Sequence, residues 1–190
     1  MAVVVVGGQA RKVGKTSVVA GLIAALPERR WTAIKLTDHA HGEPVEPGAV
    51  YEEHDRESGT DSSRYLAAGA ARAFLVRVPE GGLEAAMPRL RELLDGAENV
   101  IVESNSVLEF MQPDLTLFVL EPAIAEFKKS ALKAIERADA LVLPEAAEFA
   151  ADWPLSHELL ENKRRFHFQP PQYVSDELAA FVAERLTAYK

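Results

Sequence analysis

Cysteine is absent from the 190-residue chain. That excludes disulfides, thiolate zinc sites and cysteine nucleophiles. Also missing is any apolar run approaching the roughly 20 residues that cross a bilayer. The start, VVVVGG, has neither the basic stretch nor the cleavage site of a signal peptide, so the expectation is a cytoplasmic protein with no membrane partner. Positive charge is in deficit. Lys and Arg number 21 against 29 Asp and Glu, a net charge of −8, which argues against nucleic acid as a partner. A local loop can still bind a small anion against that global charge. There is no internal repeat and no low-complexity tract. The 48% hydrophobic content suffices for a core, and the length predicts a single domain over residues 1–190.

What is present begins with GGQARKVGKTS, Gly7 to Ser17. The apolar, β-branched run Ala2–Val6 precedes it, as in a strand buried on both faces, and VVAGLIAAL follows as a helix that Pro27 stops. A strand, a glycine-bounded turn and a helix opened by Gly-Lys-Thr are the parts of a phosphate-binding loop. Gly8, Gln9, Ala10, Arg11, Lys12, Val13, Gly14, Lys15, Thr16 and Ser17 are therefore candidate nucleotide-binding residues. In that arrangement backbone N–H groups and the helix N-terminus face an anion, Lys15 reaches the outer phosphates and the Thr16 hydroxyl ligates Mg²⁺. The usual spacing places four residues between the two glycines; here five separate Gly8 from Gly14. Arg11 and Lys12 either contact phosphate or face solvent.

Further along, strands are predicted at Trp31–Leu36, Ala73–Val78, Asn99–Glu103, Leu115–Leu120, Ala140–Leu143 and, as a short edge, Arg165–Phe168. Helices are predicted at Asp61–Ala70 with Asp61 as N-cap, at Gly82–Leu94, over Ala123–Arg137 with an Ile124, Phe127, Ala131, Ile135 face, at Leu155–Asn162 and from Ser175 through Tyr189. This alternation predicts an α/β fold, a mostly parallel sheet with helices on both faces. Residues 37–60 form a polar loop with two prolines, three glycines and three histidines, far longer than the usual connection of roughly 4–6 residues.

Ligands of such sheets bind at the carboxyl ends of the strands. Lys35, Asp38 and Glu103 fall there together with the glycine loop. Glu103 ends VIVE and is followed by small polar residues, so it is a candidate for Mg²⁺ or for orienting a nucleophilic water. Asp38 is a second metal-side carboxylate. Lys35 either steadies a phosphate or substrate carboxylate, or lies in solvent on an edge strand. His39, His41 and Glu43, and His54 with Glu52, Glu53 and Asp55, have metal-ligand spacing, or are incidental histidines in an acidic loop. Asp61 and Arg64 read as a local cap and ion pair at i, i+3. No guanine-reading Asn-Lys-x-Asp follows Ala140–Leu143, where the chain runs PEAAE, so ATP and GTP stay open.

The loop with five intervening residues and Val13 before Gly14-Lys15-Thr16 resembles that of dethiobiotin synthetase and its relatives. Three other segments resemble the molybdopterin-guanine dinucleotide biosynthesis protein B family: Ala33-Ile34-Lys35 with the histidines beyond it, Thr60-Asp61-Ser62-Ser63-Arg64-Tyr65 with Ala68-Gly69-Ala70, and Val100-Ile101-Val102-Glu103. The resemblance spans residues 3–105 and implies a P-loop nucleoside triphosphate hydrolase fold and a homodimer. It further implies GTP or ATP with Mg²⁺, slow hydrolysis, and a cofactor-biosynthesis partner protein in molybdenum cofactor assembly. By position it makes Gly14, Lys15 and Thr16 phosphate and Mg²⁺ residues, Glu103 the acidic metal-side residue, and Asp61 and Arg64 site residues. Two departures are Leu36-Thr37-Asp38 before the histidines and Ser104 where that family has glycine. Alternative readings keep the fold: an ATP-dependent ligase or kinase on a small carboxylic acid, as in dethiobiotin synthetase, or a non-catalytic nucleotide-dependent assembly module.

Overall fold

The computed structural model describes residues 1–37, 49–79, 81–145, 148, 150, 153 and 155–187. Asp38, His39, His41 and Glu43 lie outside them, as does the predicted end of the last helix at Tyr189. Eight strands form one sheet: β1 (Ala2–Gly8), β2 (Trp31–Thr37), β3 (Ala49–Glu53), β4 (Arg72–Arg77), β5 (Asn99–Glu103), β6 (Leu115–Val119), β7 (Ala140–Pro144) and β8 (Arg164–Phe168). Their order is β3-β4-β2-β5-β1-β6-β7-β8, and all neighbours run parallel except β3, which is antiparallel to β4. The helices are α1 (Lys15–Ala25), α2 (Asp61–Ala67), α3 (Leu83–Asp95), α4 (Lys129–Glu136), α5 (His157–Glu161) and α6 (Asp176–Thr187).

Strand β1 shows why both faces are covered. Its side chains alternate between two cores. Val4 and Val6 join α1, α2 and α6 through Val18, Leu22, Tyr65, Leu178 and Val182. Val3 and Val5 join α3, α4 and α5 through Leu83, Leu90, Ile135 and Leu160. A strand apolar at every position is the mark of a sheet buried on both sides, and all of β1 is buried. Among the described residues no helix is long and apolar enough to cross a membrane.

The structure corrects three expectations. The long polar loop contains β3, whose pattern is weak because it pairs on one side only and leaves Tyr51 and Glu52 exposed. Thr60, not Asp61, caps α2: its hydroxyl accepts from Ser63 N at 3.0 Å, and Asp61 is the first helical residue. Only Lys129–Glu136 of the predicted Ala123–Arg137 helix is helical. The backbone before it is bound to Gln9 instead. Glu121 N donates to Gln9 Oε1, Gln9 Nε2 donates to Ile124 O, and Lys128 N donates to Gln9 O. Ile124 is consequently 38% exposed rather than part of an apolar face. The final helix does begin after Ser175, whose hydroxyl accepts from Leu178 N.

Gly21 in α1 faces Val174, the residue leading into α6. A Cβ at Gly21 would stand 2.6 Å from Val174 Cγ2 and 3.2 Å from Val174 Cβ. Replacing a mid-helix glycine by alanine ordinarily stabilises by about 1 kcal/mol. Here overpacking, which costs ~1–3 kcal/mol, should win. Gly21→Ala is therefore expected to lower the urea midpoint, and a raised midpoint would mean that α6 can move away without cost.

Candidate functional site

The sheet order places β5 between β1 and β2, so Glu103 faces Val6 on one side and Lys35 on the other. The glycine loop, the end of β2 and the end of β5 therefore meet at one sheet edge. They enclose, with α2 and the start of α4, a cavity of about 510 Å³. From the loop it is lined by Arg11, Lys12, Gly14, Lys15, Thr16 and Ser17.

The loop's local chemistry explains its spacing. Gly8 is the last residue of β1, and a Cβ there would stand 2.8 Å from Lys15 Cγ and Cδ. The Lys15 side chain thus folds back across Gly8, and its ammonium donates to Ala10 O at 2.5 Å. Asn105, just past β5, holds the strand end: its Oδ1 accepts from Gly8 N at 2.8 Å and its Nδ2 donates to Gly8 O at 2.9 Å. Of the five residues between the glycines, Gln9, Ala10 and Val13 are buried, and Arg11 and Lys12 form the exposed tip. Lys12 has φ 63° and Gly14 φ 101°, so the chain doubles back at the tip through the left-handed region before α1 begins. The extra residue adds a longer tip while Gly8 keeps its place under Lys15. Gly8, Gln9, Ala10 and Val13 offer the cavity no side chain; Gln9 instead ties the loop to residues 121–128.

Glu103 is the centre of the polar network. It is 2% exposed. Its Oε2 accepts from Thr16 Oγ1 at 2.8 Å and from the Tyr65 hydroxyl, and its Oε1 accepts from Lys35 Nζ. Lys35 also pairs with Asp61 at 3.0 Å. Arg64 Nη2 donates to Ser17 Oγ at 3.0 Å. Lys35 is thus on an interior strand and not an edge, and Asp61 and Arg64 reach across to β2 and α1 rather than pairing with each other. Burial pushes the Tyr65 hydroxyl well above its ordinary range, and the neighbouring Glu103 charge adds to the shift. Burial also lowers Lys15 to about 8, opposed by Glu103 and reinforced by Lys35 and Lys128.

Six cationic side chains line the cavity (Arg11, Lys12, Lys15, Lys35, Arg64 and Lys128) against the two carboxylates Asp61 and Glu103. A chain of net charge −8 thus gathers six cations around this cavity. Tyr65, Asn105, Lys128 and Tyr173 were not candidates in the sequence. The small polar run after Glu103 was a signal for Asn105, whereas the other three are brought in by tertiary packing. The second histidine cluster does not converge. Glu52 pairs with Arg72 at 2.7 Å. Glu53 accepts from His54 N, Asp55 N and the hydroxyls of Ser58, Thr60 and Ser62, and hydrogen bonding, first from Thr60, holds its pKa down to about 2. Among the described residues no group of three or more His, Asp or Glu is placed to hold a metal ion. The contacting Thr16 hydroxyl and Glu103 carboxylate are hard oxygen donors of the kind Mg²⁺ takes.

The mostly parallel sheet, the strand–glycine loop–helix unit at its edge and the carboxylate opposite define the P-loop NTPase fold. Solved structures share it. LpxK from Aquifex aeolicus, in its "apo" form in complex with ATP, aligns with 88% of this chain at 23% identity and a TM-score of 0.52. HypB from Helicobacter pylori, in complex with nickel, aligns with 98% of this chain and 87% of its own at 14% identity and a TM-score of 0.53. The chain spans about half of LpxK, 53% of its length. No family model matches the chain, and no curated protein does. At these identities the likeness establishes the fold.

The Lys15 shift has a consequence for stability. Its folded pKa of about 8 lies below the ordinary 10.5, so between those values the unfolded chain binds more protons. Stability then rises with pH across that window, and the cost of the buried charge is fully present below it. From pH 8 to pH 10 the wild type should gain roughly 2 kcal/mol relative to Lys15→Met in urea unfolding. Parallel pH profiles for the two proteins would show that Lys15 is not desolvated in the fold.

Proposed function

We propose that the cavity binds a nucleoside triphosphate together with Mg²⁺, and that the protein hydrolyses it slowly. The observation that carries this reading is Lys15. Its ammonium lies folded over Gly8 onto the loop's own carbonyl at Ala10, a cation parked inside a ring of backbone where an anion would be held. Arriving phosphates would take the ammonium from Ala10, and the loop N–H groups and the α1 N-terminus would share the charge. Arg11, Lys12 and Lys128 surround the same space.

Thr16 and Glu103 would hold the Mg²⁺, Thr16 directly and Glu103 by accepting from it or from a bound water. The ion would neutralise charge on the β- and γ-phosphate oxygens. Glu103, fixed by Tyr65 and Lys35, can orient an attacking group; Asp38 is the second candidate for that task. ATP or GTP is the nucleotide. The likeness of residues 3–105 to the molybdopterin-guanine dinucleotide biosynthesis protein B family supports a role in cofactor assembly, with a partner protein and a homodimer.

A second reading, an ATP-dependent ligase or kinase, is favoured by one observation. Lys35, Asp61 and Arg64 extend the cationic wall past the glycine loop, where an acidic second substrate would lie. Phosphate release that depends strictly on an added carboxylic acid separates it from simple hydrolysis.

Calorimetry with ATP and GTP tests the first reading. Lys15→Ala should abolish measurable binding of both. Glu103→Gln should keep Mg²⁺-free binding yet lose the gain that Mg²⁺ brings, about tenfold or more. Saturating nucleotide should stabilise the wild type by about 2.7 kcal/mol at one hundred times Kd. Unchanged affinity in Lys15→Ala sinks the proposal.

A further inference from the structure

The wall of the cavity is polar at nearly every position. Among the described residues its lining has two side chains with sizeable apolar surface for a flat ligand, Leu36 on the β2 side and the ring of Tyr173. The sheet order puts the two at opposite ends, since β2 lies on one side of β1 and β8 on the other. Tyr173 follows β8 through a tight reversal in which Gln169 N donates to Gln172 O and Gln172 N donates to Gln169 O. The reversal brings the ring back over the phosphate loop. One of its faces stacks on Phe168, with centroids 4.8 Å apart and planes at 27°. An edge abuts Gly14, where an added Cβ would stand 2.8 Å from Tyr173 Cε1. The residue is half-buried, so part of the ring stays open to the cavity.

We infer that Tyr173 is the stacking platform for the nucleobase of the nucleotide, an inference that rests on the proposed function. The phosphates would lie over Lys15 and Thr16, and the base would extend toward β8, away from the Lys35–Asp61 end. Phe168 braces the ring from behind, and Gly14 leaves it room to approach the loop. Aromatic stacking accepts any base, because every base has a π-face. The chain beyond β7 lacks the Asn-Lys-x-Asp motif that reads the guanine edge. Stacking on Tyr173 is therefore expected to serve ATP and GTP alike.

The test compares nucleotides with inorganic tripolyphosphate, which has the phosphates but no base. Calorimetry with Mg²⁺ is run on wild type, Tyr173→Phe and Tyr173→Leu. Leucine keeps apolar bulk beside Gly14 and removes the π-face. ATP and GTP should each bind about thirtyfold more weakly to Tyr173→Leu, near the middle of the range for base–aromatic stacking. Tyr173→Phe should bind them as wild type does, and tripolyphosphate should bind all three proteins equally. An equal loss of tripolyphosphate and nucleotide affinity in Tyr173→Leu would overturn the inference, because Tyr173 would then merely support the loop. So would undiminished nucleotide affinity in that variant, or wild-type protein that binds ATP no better than tripolyphosphate. Wild-type protein that binds none of the three ligands would overturn the proposed function itself.

Discussion

A buried carboxylate organises the upper edge of this molecule. Glu103 ends a central strand at 2% exposure, and an ionised carboxylate so placed is costly unless its oxygens are met. They are met by donors from three different elements: Thr16 on α1, Lys35 on β2 and Tyr65 on α2. Each donor thereby fixes the element that carries it. Thr16 orients the first turn of the helix behind the glycine loop. Lys35 keeps its charge on an interior strand because Glu103 and Asp61 take it up. Tyr65 ties the seven-residue α2 to the end of β5. Removing the carboxylate would take its partner from the buried Tyr65 hydroxyl and one partner each from the half-buried Thr16 and Lys35.

The glycine loop depends on a second set of bonds from the other side. Asn105 clamps Gly8, and Gln9 draws residues 121–128 onto the loop with its side-chain amide. A buried amide makes one donor and one acceptor available to a backbone that would otherwise form helix. This explains both why the chain from Glu121 to Lys128 is irregular and why Lys128 ends up in the cavity wall. The same residue that broke the expected loop spacing therefore shapes the opposite wall of the site. The longer tip, Arg11 and Lys12, places two cations where a shorter loop would place fewer.

Charge and burial together set what the cavity can do. Lys15 is held in a partly dry place among other cations, and its pKa of about 8 records the cost. A polyanion relieves that cost, whereas a neutral ligand would not.

The fold was legible in the sequence because its signals were local. Apolar β-branched runs marked the interior strands, and their alternation with helices fixed a parallel, doubly covered sheet. The glycine loop, Lys35 and Glu103 were legible as candidates because strand ends in such a sheet converge. The edge strand β3 was not, since among the described residues it pairs on one side only and Tyr51 and Glu52 are exposed. Nor was the break in the predicted helix at Ala123–Lys128, because its cause is the side chain of Gln9, more than a hundred residues away in the chain. Tyr65 and Tyr173 look like ordinary core aromatics in the sequence. Only the tertiary structure decided otherwise, by bringing a hydroxyl onto Glu103 and a ring onto Gly14. Local composition determined which elements form and which residue types stand at their ends. Long-range packing decided which of those residues meet, because hydrogen bonds to buried charges are satisfied in space and not along the chain.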